Sequence, residues 1–144
     1  MRAHGAALAV GILALTAPVH AANSEPITVV RTFLAAVLND RDAAQSMLTK
    51  DAGFGAGDVG GPFQFAVLDE FSKNCRFDTS APTTKLLGME GRNIVTVEVT
   101  LVCQAGGSHS NTLPANFMVE GDKIAGLYLN VRSGLDEAAS GGTK

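Results

Sequence analysis

Tryptophan is absent from this 144-residue chain, tyrosine occurs once, and charge is scarce: 17% of the residues are charged, with 14 acidic side chains against 11 basic ones. The bases are scattered, without a basic run and without aromatic residues interleaved among them. Such a surface has no footprint for a phosphate backbone, which argues against nucleic-acid binding. Histidine occurs three times, and His4 and His20 both precede residue 22, leaving His109 in the polar stretch Ser108-His109-Ser110. With one histidine beyond that point, a zinc site or a Ser-His-Asp triad would need partners the chain scarcely offers. Nothing in the composition calls for a cofactor or a resident metal.

Long hydrophobic runs are missing too. The stretch from Ala6 to Ala17 has twelve residues, too few to span a bilayer. Arg2 and His4 precede it and Pro18-Val19-His20-Ala21 follows, with small residues at the −3 and −1 positions of a cleavage site after Ala21. The pattern is that of a secretory signal peptide, residues 1–21, with a retained amphipathic anchor as the alternative. Export into the periplasm or medium, with no membrane attachment after cleavage, follows as the expectation. The remaining 123 residues carry 10 basic and 14 acidic side chains, a net charge of −4, and 46% hydrophobic content in the whole chain is ample for one core. Residues 22–133 read as one domain, and residues 134–144 as a small, polar, disordered tail.

What is present is dominated by alternation. Val95, Val97, Val99, Leu101 and Cys103 alternate with more polar neighbours from Arg92 onward, the pattern of a half-buried strand. Cys75 and Cys103 are the two cysteines. A hairpin turning at Gly88 to Gly91 pairs residues whose numbers sum to about 179, and these two sum to 178. In an oxidising compartment they are expected to form a disulfide; the alternative is a nucleophilic Cys103 activated by His109. Upstream, Ile27, Val30, Phe33, Leu34, Val37 and Leu38 recur at helical spacing after Ser24-Glu25-Pro26. Asp40 is placed to cap a second helix from Arg41 to Leu48, and Pro62 to open a third with Phe63, Val67, Leu68 and Phe71 on one face. The glycine-rich passage Asp51 to Gly61 contains a formal G-x-G-x-x-G. It follows a helix and not an apolar strand, so a dinucleotide site is disfavoured, and a short strand or bulged loop passing close to a helix is the expectation. Two further strands, over Leu113 to Val119 and Lys123 to Val131, complete the chain. Tyr128 and Asn130 lie on the face of the last strand opposite Leu127 and Leu129, where exposure or a dimer contact is expected.

Helices followed by hairpin-linked strands define an α+β class, with helices on one face of a curved antiparallel sheet. Val29-Val30-Arg31-Thr32-Phe33-Leu34-Ala35-Ala36, then Asn39-Asp40-Arg41-Asp42, Lys50-Asp51-Ala52 and Phe117-Met118-Val119-Glu120-Gly121-Asp122-Lys123-Ile124 together resemble the nuclear transport factor 2-like superfamily, which includes ketosteroid isomerases and SnoaL-like polyketide cyclases. The resemblance spans about Glu25 to Arg132. It implies a cone-shaped roll with a pocket between helices and sheet, often paired into homodimers through the sheet. It also implies functional positions: where the isomerases use a tyrosine this chain has Phe33, where they use a protonated aspartate it has Ala115, and Asp58 falls close to their catalytic base. A carboxylate without either oxyanion donor cannot stabilise a dienolate; losing one such donor slows catalysis by about a hundredfold or more.

Alternation places Phe33, Val97, Val99, Ala115, Phe117, Leu127 and Leu129 around the cone, with Asp51 and Asp58 at its mouth. The same side chains either line an apolar pocket for a small hydrophobic ligand or fill the cone as core. The expectation is a non-catalytic binding or interaction module, with a homodimer through the outer sheet face as its partner. The alternative is an isomerase, cyclase or dehydratase using Asp58 as acid or base, against a solvated turn role for that residue.

Overall fold

The computed structural model describes residues 25–105 and 109–131. The expected signal peptide and tail lie outside them. Helix α1 is Pro26–Asn39; its proline occupies the first turn, where φ is already helical and no N–H is missed, and Val29, Val30 and Phe33 form its buried face. Asp40 ends it in an extended conformation and then caps α2, Arg41–Ser46, by accepting the Ala43 N–H at 3.1 Å. The second helix stops two residues short of the expected end because Leu48 already begins a strand.

That strand, β1 (Leu48–Ala56), and β2 (Val59–Pro62) form a hairpin from the glycine-rich passage. Gly57 and Asp58 are its two turn residues, and Gly57 takes the positive φ of 59° that a tight hairpin requires at that place. Pro62 closes β2 instead of opening a helix, and α3 is Phe65–Ser72. The Phe63 N–H is drawn back to the Ala52 carbonyl at 2.9 Å, which keeps this residue with the hairpin. The remaining strands are β3 (Cys75–Met89), β4 (Arg92–Ala105), β5 (His109–Glu120) and β6 (Lys123–Leu129).

The six strands run in the order β2-β1-β6-β5-β4-β3. All neighbours are antiparallel except β1 and β6, which are parallel, so the sheet is mixed and not wholly antiparallel. No short turn joins those two strands, and so nothing in local sequence dictates their direction. The half-buried strand β4 stands second from the edge; β6 and β5 occupy the middle. Register shifts interrupt β1/β6, β3/β4 and β5/β6. Such irregularities, together with glycines, are what curve a sheet.

Glycine serves close approach at two places. A Cβ on Gly55 would stand 2.5 Å from the ring of Tyr128, its neighbour in β6, and one on Gly126 would press on the Met118 side chain and lie 3.0 Å from the Gly53 carbonyl. The backbone thus passes close to another strand, where a helix was expected. The Tyr128 hydroxyl donates to the Gly57 carbonyl at 2.6 Å, which ties the hairpin turn to β6.

The core lies between α1 and the inner sheet face. All seven phenylalanines of the chain meet another ring within 6.5 Å: five form a network that centres on Phe33 and Phe117, and Phe54 and Phe71 form a separate pair.

Candidate functional site

The seven side chains expected around the cone are all placed in its packed interior, at 0–2% exposure: Phe33, Val97, Val99, Ala115, Phe117, Leu127 and Leu129. The space they would enclose is occupied. Phe63 and Phe65 reach the Phe33 ring at 5.9 and 6.4 Å, and Phe77 reaches Phe117 at 5.3 Å. No polar or charged side chain is buried among the described residues.

Asp58 stands exposed on the β1–β2 turn. Asp51 is likewise exposed and is engaged at the end of the sheet: Arg92 donates to its two carboxylate oxygens at 2.7 and 3.3 Å, and the Thr49 hydroxyl donates at 2.9 Å. The Arg92 and then the Thr49 hydrogen bonds hold its carboxyl below the ordinary value of 3.8. Arg92 also donates to Glu120 through Nε at 3.0 Å, and the hydrogen bonds to Glu120 and Asp51 raise its own pKa. Neither aspartate lines a cavity identified below. His109 opens β5; its side chain lies outside the described residues.

Cys75 and Cys103 are directly opposed in β3 and β4 and form a disulfide, with Cα atoms 4.0 Å apart. This agrees with the expected pairing. The route to it differs: near the hairpin turn Leu87 faces Ile94, and a bulge in which Thr79 to Pro82 stand opposite Val99 shifts the register before the cysteines meet. Pro82 is tolerated there because β3 is an edge strand and the bulge releases it from the ladder. The Thr79 carbonyl, left without a strand partner, accepts from Arg31 of α1 at 2.8 Å.

These contacts frame a cavity of about 330 Å³ between α1, α3 and the first residues of β3. Leu34, Val37 and Leu38 from α1 face Leu68 and Phe71 from α3, while Ser72, Cys75, Arg76 and Phe77 complete the lining. Leu34, Leu38, Leu68 and Phe71 sit one turn apart within their helices, so each helix presents an apolar stripe to the same space. Leu38 is 76% exposed, an apolar side chain at the helix end that no neighbour covers. The disulfide pins the opposite wall. Helical periodicity singled out these apolar residues only as core-facing; what it could not show is that α1 and α3 leave room between them.

No family model matches the chain, and no curated protein matches it. Solved structures do. A designed protein with a curved β-sheet aligns over 82% of this chain and 94% of its own, at 15% identity and a TM-score of 0.51. A Sinorhizobium meliloti protein provisionally named a polyketide cyclase aligns over 72% and 94%, at 19% identity and 0.49. A designed protein of the nuclear transport factor 2 fold aligns over 83% and 93%, at 16% and 0.46. At such identities the likeness concerns the fold alone. The chain shares with the designed curved-sheet protein an arrangement of helices on a curved β-sheet.

Proposed function

We propose that this protein is a non-catalytic binding module that takes a small hydrophobic ligand in the cavity between α1, α3 and β3. The observation that carries the reading is the cavity's chemistry: about 330 Å³ of mostly apolar space, within the size range of small-molecule pockets and without the convergent polar groups a catalytic pocket uses. Catalysis through Asp58 has no observation in its favour, because that residue is an exposed turn aspartate. Export belongs to the same reading. The disulfide is compatible with an oxidising compartment, and among the described residues no helix is long and apolar enough to cross a membrane.

Native mass spectrometry of the protein purified from its own cell envelope, followed by denaturing extraction, tests this directly. A stoichiometric apolar compound, lost when Val37→Trp narrows the cavity, is the expected result. A bare protein mass under gentle ionisation, with no uptake of added hydrophobic compounds, would overturn the reading. The same spectrum gives the oligomeric state, for which the outer sheet face is the expected homodimer contact.

A further inference from the structure

The cavity does not end at its apolar walls. A second depression of about 240 Å³ adjoins it, sharing Ser72, Cys75 and Arg76 and adding Lys73, Asn74 and Gln104 among its walls. Together they form an apolar compartment opening onto a polar one. In a chain with more acidic than basic side chains, neither lining contains an aspartate or glutamate.

Of the two cations present, Lys73 is held by Glu70 at 2.7 Å. Arg76 is exposed and has no ion-pair or side-chain hydrogen-bond partner among the described residues. The nearest acid in sequence, Asp78, accepts the hydroxyl and N–H of Ser80 at 2.6 and 3.0 Å; it is close enough for the Arg76 charge to help lower its pKa but forms no ion pair with it. Ser72 already donates its hydroxyl to the Asp69 carbonyl at 2.8 Å, so it cannot also donate to an anion. Arg76 is therefore the group on which a negative charge would settle, and a guanidinium matches a carboxylate with two parallel N–H bonds.

We propose that the ligand is a single-chain amphiphile with a carboxylate head, a molecule of fatty-acid type, its tail in the apolar compartment and its head on Arg76. This rests on the binding reading above and specifies its ligand class. One uncommitted cation suits one negative charge, and the same cation disfavours a positively charged head. A neutral head gains no ion pair there.

The test titrates decanoate, decanol and decyltrimethylammonium, each below its micellar concentration, into the full chain by calorimetry, with amide shifts followed by NMR. Decanoate is expected to bind about tenfold or more tighter than decanol, the scale of a charge-assisted hydrogen bond. Decyltrimethylammonium is expected to be weakest, and shifts should centre on Leu34, Ser72 and Arg76. Arg76→Gln, an exposed substitution checked for folding by circular dichroism, should bring decanoate down to the decanol level. Arg76→Glu should reverse the order towards the cation. Equal binding of decanoate and decanol at those amides would overturn the carboxylate assignment and leave the hydrophobic cavity standing. Shifts centred elsewhere, or no binding by any of the three, would overturn both.

Discussion

Arg92 gathers Asp51, 41 residues before it, and Glu120, 28 residues after it, at one end of the sheet. A carboxyl held below its ordinary value stabilises the folded state above that value, and the contribution disappears as the pH falls through the lowered one. Asp51→Asn should therefore have a lower urea midpoint than the natural chain at pH 7. The gap should close as the pH is taken below the ordinary 3.8 of a free aspartate. A gap independent of pH would show that Asp51 acts through packing or its Thr49 bond and not through its charge. This ion cluster was not legible in the sequence, because its members belong to three strands whose adjacency depends on β1 lying parallel to β6. The same ignorance hid the reason for Gly55 and Gly126. Their presence could be read, but the Tyr128 ring over Gly55 comes from a strand more than 70 residues away.

Elements defined by local periodicity were legible and those defined by long-range pairing were not. The helix over Pro26–Asn39 and the cap at Asp40 agree with their residues, since turn-to-turn spacing and a capping carboxylate act within a few positions. The β1–β2 hairpin did not announce itself, because Gly-Ala-Gly-Asp-Val-Gly-Gly lacks the apolar alternation by which strands are recognised. Between these extremes lies the long edge hairpin. Its turn and its disulfide were both visible, yet the bulge at Thr79 to Pro82 that reconciles them was signalled only by Pro82. On the chain-entropy account a bridge across this 28-residue separation contributes about 3 kcal/mol. The double substitution Cys75→Ser with Cys103→Ser should lower the urea-derived stability by about that amount. Secondary structure by circular dichroism should persist, since the ladder beyond the bulge does not depend on the sulfurs. An unchanged midpoint would mean that the ladder alone fixes this end of β3, and with it the wall of the cavity.

For the molecule as a whole, the resemblance implied a hollow cone; β4 and β5 turn alternate apolar residues inward, while β6 buries Ile124 to Leu127 in a row across its register shift. What alternation cannot register is volume. Phe63 precedes α3 and Phe65 opens it, in a stretch expected to be helical, and their rings pack on Phe33; Phe77 enters beside Phe117 from the edge strand. Three rings around Phe33 and Phe117 convert a pocket into a core, and a cavity remains where the helices part. Phe33 is fully buried in this set, so Phe33→Ala should destabilise the fold by about 3–5 kcal/mol, a transfer loss plus an unrelaxed void. If the cone is filled as described, that void should be dry and apolar, and added benzene should recover part of the lost thermal stability by binding the folded state alone. In the natural chain benzene should bind no site that contacts Phe33. A loss near zero, with no benzene effect, would mean that the rings around Phe33 collapse into the gap and that the cone is not packed to the density its burial implies.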